Sequence, residues 1–153
     1  MYRIGIVGSD NSHADAFSTL INIPNEKGEY NYGDTRVTHI FGFEKERTEE
    51  VAKNGKIPTI VLNPEDMIGQ VDAVMVVFRH GGLHRKYAEL FLNANIPVWV
   101  DKPFTISPED AKALFDLSEK TGTIVTGGST CKHVYDVEMI KLAAKGGSKY
   151  GKI

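Results

Sequence analysis

"YRIGIVGSDNSHADAFSTLIN", residues 2–22, is the stretch whose reading decides the fold. Its first part, 2–8, is an apolar run that reads as a buried strand bending at Gly8. Its second part, 12–22, reads as a helix with Ala16, Phe17, Leu20 and Ile21 on one face. Ser12 reads as the N-cap, with Asp15 as the acidic partner of a capping box. A strand that turns at glycine into a helix N-terminus suits anion binding, because the first helical amides have no intrahelical partners. The loop between is unusual. Where a dinucleotide turn normally carries two more glycines, this one has Asp10 and His13.

The same alternation continues outward. Strands are expected at 36–44, 57–62, 71–78, 96–103 and 123–128. Helices are expected at 45–55, 63–69 (short), 82–95, 107–122 and 134–147. Ser107, Pro108 and Asp110 mark the start of the helix over 107–122, and Gly122 its end. The run 71–78 is apolar on both faces, as a central parallel strand should be. The stretch 23–35 has no periodicity and is long for a connection, so it reads as a binding or interface loop. Repeated strand–helix units predict a parallel sheet with helices on both faces. Ligands of such sheets bind at the carboxyl ends of the strands. Those ends carry 9–13, Glu44, 79–84, 101–103 and 127–132.

Composition limits the alternatives. The 153 residues are 41% hydrophobic, which fits one core and one domain. The formal net charge of −2, without a basic run, argues against a nucleic-acid partner. No apolar run approaches the roughly 20 residues a membrane span needs. The single Cys131 and the lack of a signal-peptide pattern point to the cytoplasm.

"VWVDKP" (98–103) followed by "FTISPEDAKAL", "VDAVMVVFRHGGLH" (71–84) and "TGTIVTGGS" (121–129) occur in an order and spacing that resemble the amino-terminal domain of the glucose–fructose oxidoreductase/inositol dehydrogenase (Gfo/Idh/MocA) family. The first is similar to the family's Glu-Lys-Pro motif, with Asp101 in place of Glu. "GSDNSH", the Asp-Lys-Pro and the polar "GGST" resemble a branch with Asp-x-Ser-His at the first turn. The resemblance implies a three-layer αβα Rossmann-like domain over residues 1–153, with a mostly parallel six-stranded sheet. It also implies an NAD(P)-dependent oxidoreductase acting on a sugar, polyol or related small molecule. Family members continue into an α+β substrate domain. The chain ends at "YGKI", where that domain would start, so an excised nucleotide-binding domain, inactive alone, is expected. A homo-oligomer is compatible with the resemblance.

Catalytic roles fall on Lys102, as donor to the reacting oxygen, and on Asp101, which would pair with or orient it. Pro103 restricts Lys102 to extended geometry, and a cis bond between them is an option. Cofactor contacts fall on Gly8, Ser9, Asp10, Asn11, Ser12, His13, Glu44, Arg79, His80, His84, Pro103 and Ser129. No metal is implied. Gly8 allows the turn. Asp10 has a problem: a carboxylate 4 Å from one phosphate charge is repelled by about 1 kcal/mol in water and about 4 at an effective dielectric near 20. Pointing away or capping amides would avoid it. Glu44 can accept from the adenosine ribose and favours NAD, whereas Lys45 and Arg47 can meet a 2′-phosphate. Arg79 and His80 replace the family's Thr-Pro. His84 keeps the family's His, either as a contact or as a helix cap. Gly128, Ser129 and Thr130 can face the nicotinamide or a sugar hydroxyl, and Cys131 reads as filler.

Two other functions compete. A metal-dependent hydrolase or lyase would gather His13, Asp15, His80, His84 and Asp101, although no tight ligand spacing is present. A non-catalytic ligand sensor would explain the reduced glycine pattern.

Overall fold

The computed structural model describes residues 1–129 and 134–145. Six strands form one sheet: β1 (Tyr2–Val7), β2 (Thr35–Phe41), β3 (Thr59–Ile60), β4 (Ala73–Val76), β5 (Val98–Val100) and β6 (Val125–Gly127). The helices are α1 (Ser12–Asn22), α2 (Lys45–Asn54), α3 (His84–Asn93), α4 (Pro108–Thr121) and α5 (Tyr135–Lys145). Short 3-10 turns occupy Pro64–Met67 and Gly81–Leu83.

The strand order is β3-β2-β1-β4-β5-β6, with every pairing parallel. The chain builds outward from β1 to β3, crosses back, and builds outward again from β4 to β6. The direction reverses between β1 and β4, and that switch point opens the ligand crevice at the carboxyl ends of the strands. The strands are shorter than the apolar runs that encode them. Expected 71–78 pairs only over Ala73–Val76, and expected 96–103 only over Val98–Val100. Of the residues left over, 71–72 and 96–97 precede their strands at the amino rim, whereas Val77, Phe78 and Asp101 follow them, buried, at the carboxyl rim.

Side chains alternate between the two faces, as the pleat demands. Ile6, Ile40 and Val77 join Ala14, Ile21 and Val51 in one core. Val7, Phe41, Val76 and Phe78 join Phe91, Leu92 and Leu114 in the other. The helices therefore cover opposite faces, α1 and α2 one and α3 and α4 the other, as right-handed crossovers require. Beyond α1 the first face is left partly open. Ile4, Phe17, Met75, Trp99 and Ile124 line an apolar groove of about 530 Å³ there.

The loop over 23–34 enters β2 at its amino end, so it lies at the opposite rim from the crevice. The Arg36 guanidinium sits 3.3 Å from the centroid of the Tyr30 ring, and Asn31 donates to the Leu20 carbonyl at 2.9 Å. As a binding loop for the strand-end site it is ruled out by topology. The start of α4 matches expectation: Ser107 Oγ accepts from the Asp110 amide at 3.1 Å. The Asp110 carboxylate, however, turns to Arg85 at 2.9 Å instead of closing a box. Among the described residues no helix is long and apolar enough to cross a membrane.

Candidate functional site

Gly8 makes the first turn. Its φ is +113°, and a Cβ there would lie 2.7 Å from the Phe78 backbone nitrogen. Both the dihedral and the close approach of β1 to the end of β4 exclude a side chain. Ser9 follows but turns inward, its hydroxyl 2.9 Å from Thr48 Oγ1 in the interior. Only its backbone faces the turn, and its carbonyl accepts from Arg47 Nε at 3.1 Å.

The expected capping box at Ser12 is not what starts α1. Asn11 is the N-cap: its Oδ1 accepts from the His13 amide at 2.5 Å. Its Nδ2 donates to the Val77 carbonyl at 2.6 Å. One buried amide thus caps the helix and ties it to Val77, the residue directly after β4, a double task that Ser12 is too short to perform. Ser12 is the exposed first residue of the helix. Asp15 is corrected too. Its carboxylate pairs with Arg47 and accepts from Asn54 Nδ2 at 3.2 Å.

Asp10 takes one of the escapes open to it. Its two carboxylate oxygens accept from the Arg79 amide at 3.3 and 3.2 Å, and Arg79 Nη2 donates to the Asp10 carbonyl at 2.7 Å. The carboxylate caps the loop after β4, and a guanidinium lies beside it. Asp10, Glu44, Arg47 and Arg79 line a polar pocket of about 400 Å³. Glu44 lies beyond the end of β2 and starts α2 without making a capping bond through its side chain. Arg47 is committed: Glu50 at 2.7 Å, and then Asp15, raise its pKa above the ordinary guanidinium value.

Asp101 directly follows β5 and is 1% exposed. Its expected partner was the Lys102 ammonium. Instead Oδ1 accepts from the Lys102 backbone amide at 2.7 Å, and Oδ2 lies 2.5 Å from His13 Nδ1. The carboxylate of the Asp-Lys-Pro segment is therefore bonded to the first turn. Lys102 is exposed, and its bond to the exposed Pro103 is cis. Gly81 makes room for that proline: a Cβ there would lie 2.7 Å from Pro103 Cγ.

The remaining expected contacts divide. His80 is exposed, and its Nδ1 accepts from the Gly82 amide at 3.2 Å. His84 is corrected: it does not face the crevice. It is wholly buried, with Nε2 2.8 Å from the Phe78 carbonyl and Nδ1 3.2 Å from the Phe104 carbonyl. It staples the loop after β4 to the segment following Pro103. Ser129 is half-buried after Gly127 and Gly128, whose φ values are +152° and +104°. Thr130 and Cys131 lie outside the described residues.

The metal alternative gathers no site among the described residues, where no three His, Cys, Asp or Glu side chains converge. Asp15 is held by Arg47, and His84 by carbonyls. Two features escaped the sequence reading. One is the His13–Asp101 pair, 88 residues apart. The other is Phe43, 60% exposed and stacked on Phe78 at 5.2 Å beside the turn. The aromatic residues around Gly42 were a signal for the second. Nothing local signalled the first.

A family model described as an oxidoreductase family with an NAD-binding Rossmann fold (GFO_IDH_MocA) matches residues 2–129. No curated protein matches the chain in sequence. Among solved structures, scyllo-inositol dehydrogenase from Lactobacillus casei superposes with a TM-score of 0.75 at 17% identity, covering 96% of this chain and 42% of that one. UDP-N-acetylglucosamine 3-dehydrogenase from Acidithiobacillus ferrooxidans gives 0.72 at 20% identity, covering 92% and 42%. Biliverdin reductase from Synechocystis sp. PCC 6803, solved with biliverdin and NADP+, gives 0.72 at 17% identity, covering 92% and 42%. The chain thus spans less than half the length of the structures it matches. These likenesses are of fold, and together with the strand order, the Gly8 turn and the Asp-Lys-Pro at the end of β5 they agree with the family model: the chain belongs to the Gfo/Idh/MocA oxidoreductase family, as its NAD-binding Rossmann domain.

Proposed function

We propose that this chain is the nucleotide-binding part of an NAD-dependent oxidoreductase acting on a sugar, polyol or related small hydroxy or carbonyl compound. One observation carries the reading. Asp101, which heads the Asp-Lys-Pro segment, is bonded to His13 of the first turn at 2.5 Å, so the anion-binding turn and Lys102 belong to one crevice. The names of two fold neighbours, one carrying a sugar nucleotide and one an inositol, agree with the substrate class.

The residues fit a dinucleotide. Gly8 keeps the backbone approach open, and Asp10, the residue most hostile to a diphosphate, is occupied with the Arg79 amide. At the exposed start of α1 the His13 amide is taken by Asn11 and the Ala14 amide by the Asn11 carbonyl, which leaves the Ser12 amide to a diphosphate. When bound, the nicotinamide supplies hydride chemistry. Lys102 then donates to the reacting oxygen and lowers the cost of negative charge developing on it. Glu44 accepts from the adenosine ribose. NAD is favoured over NADP because Arg47 is already neutralised by Glu50 and Asp15, while Asp10 and Glu44 place two carboxylates in the pocket.

Fluorescence titration tests this. NADH is expected to bind at least about tenfold tighter than NADPH, a difference of about 1.4 kcal/mol. Glu44→Ala should narrow the gap. Tighter NADPH binding overturns the NAD preference, and no binding of either overturns the cofactor reading.

A further inference from the structure

The strand-end crevice contains a carboxylate–imidazole pair. Asp101 is 1% exposed, and both its oxygens are engaged, one by the Lys102 amide and one by His13 Nδ1. His13 is different, because its side chain keeps 32% of its surface open. Among the described residues no hydrogen bond engages Nε2, and no buried side-chain nitrogen or oxygen lacks a partner. Nε2 therefore reaches solvent. The ring is held edge-on to Phe17 at 5.3 Å, and Phe17 edge-on to Trp99 at 5.1 Å.

We propose that His13 is the proton acceptor of this crevice, with Asp101 as the positioning residue that fixes its tautomer. The proposal rests on the oxidoreductase reading above. A carboxylate can only accept, so the proton between Asp101 and a neutral His13 belongs to Nδ1. The lone pair is then on Nε2, the open nitrogen. Lys102 cannot do this work as an ammonium, which has three donors and no acceptor. The two groups therefore divide the task. In oxidation of an alcohol, a bound NAD⁺ would supply the hydride acceptor, so that the C–H pair would leave as hydride, giving NADH, as the C=O bond forms. The O–H bond breaks, and its proton goes to Nε2 while Lys102 supports the oxygen. The resulting imidazolium keeps its Nδ1–H on the Asp101 carboxylate. The proton then passes from Nε2 to water. In carbonyl reduction the same atoms run in reverse, with Nε2–H as the donor. The replacement of a fingerprint glycine by His13 is in this view an exchange of a diphosphate contact for an acid–base group.

The test uses the 15N-histidine-labelled chain. Long-range proton–nitrogen spectra of neutral His13 should show the Nδ1–H tautomer, and Asp101→Asn should let both tautomers appear. If that variant does not fold, the wild-type tautomer remains the test. A second measurement follows carbethoxylation of His13 by diethyl pyrocarbonate, localised by mass spectrometry. Saturating NADH should slow it at least about fivefold. An Nε2–H tautomer, or NADH that binds without changing the reactivity of His13, overturns the proton role and leaves the cofactor reading intact. Failure of NADH to bind overturns both.

Discussion

Replacing Asn11 by alanine should destabilise the protein by more than an ordinary helix-cap loss. Asn11 is 6% exposed and makes two bonds, from the His13 amide to Oδ1 and from Nδ2 to the Val77 carbonyl. Losing an N-cap costs about 1 kcal/mol. Leaving a buried carbonyl unpaired costs about 1–3 kcal/mol. Because the two bonds serve different partners, the costs add to about 2–4 kcal/mol. At about 2–4 °C per kcal/mol for a chain of this size, the midpoint should fall by about 4–16 °C. Two further variants separate the contributions. Asn11→Ser keeps a capping oxygen and loses the donor, so it should recover about 1 kcal/mol relative to alanine. Asn11→Asp also keeps the cap, but it points a carboxylate at the Val77 carbonyl and should be no better than serine. Urea unfolding followed by circular dichroism measures all three, with an unchanged slope confirming that only stability moved. A loss below about 0.5 kcal/mol for Asn11→Ala, or wild-type stability for Asn11→Asp, refutes the dual role.

Two predictions concern other parts of the framework. Asp72 accepts from the side chain of Arg3 and, next in weight, from its backbone amide, and these hold its carboxyl at about 2, below the usual 3.8. A depressed carboxylate stabilises the fold above its unfolded-state pKa and stops doing so as pH falls through the folded value. Wild type should therefore lose its advantage over Asp72→Asn between about pH 4 and about pH 2, and parallel acid limbs in urea titrations would refute this. Gly8→Ala forces φ of +113° on a residue with a Cβ 2.7 Å from the Phe78 nitrogen. It should cost about 1–3 kcal/mol by thermal melting and abolish NADH binding, and a variant that melts and binds like wild type contradicts the assigned turn.

The architecture was legible because it is written in short-range patterns. Each of the six apolar runs became a strand, and Ser107, Pro108 and Gly122 bounded α4 as expected. The sites were less legible because they are made by residues far apart. Asp15 satisfies the spacing of a capping box, yet Arg47, 32 residues on, outcompetes the local amide for it. Ser12 has a good capping side chain, but only Asn11 carries both an acceptor for the helix and a donor for Val77. His84 was readable as a crevice residue from its place after β4. Its burial between the Phe78 and Phe104 carbonyls depends on how the segment after Pro103 folds back. Asp101 looked like a partner for the adjacent lysine side chain, since sequence gives no view of His13 arriving from α1. Lys102 itself is exposed just beyond a strand that ends at Val100, two residues short of it, because the pairing with β4 and β6 stops there.

The central claim is that the first turn and the Asp-Lys-Pro segment form one dinucleotide crevice. Amide chemical-shift mapping during an NADH titration tests it directly. The account predicts saturable shifts over 8–13, at Glu44, over 79–82 and at 101–102 together, all fitting one dissociation constant. Shifts confined to the apolar groove around Trp99, or two sets of strand-end residues fitting different constants, would contradict it.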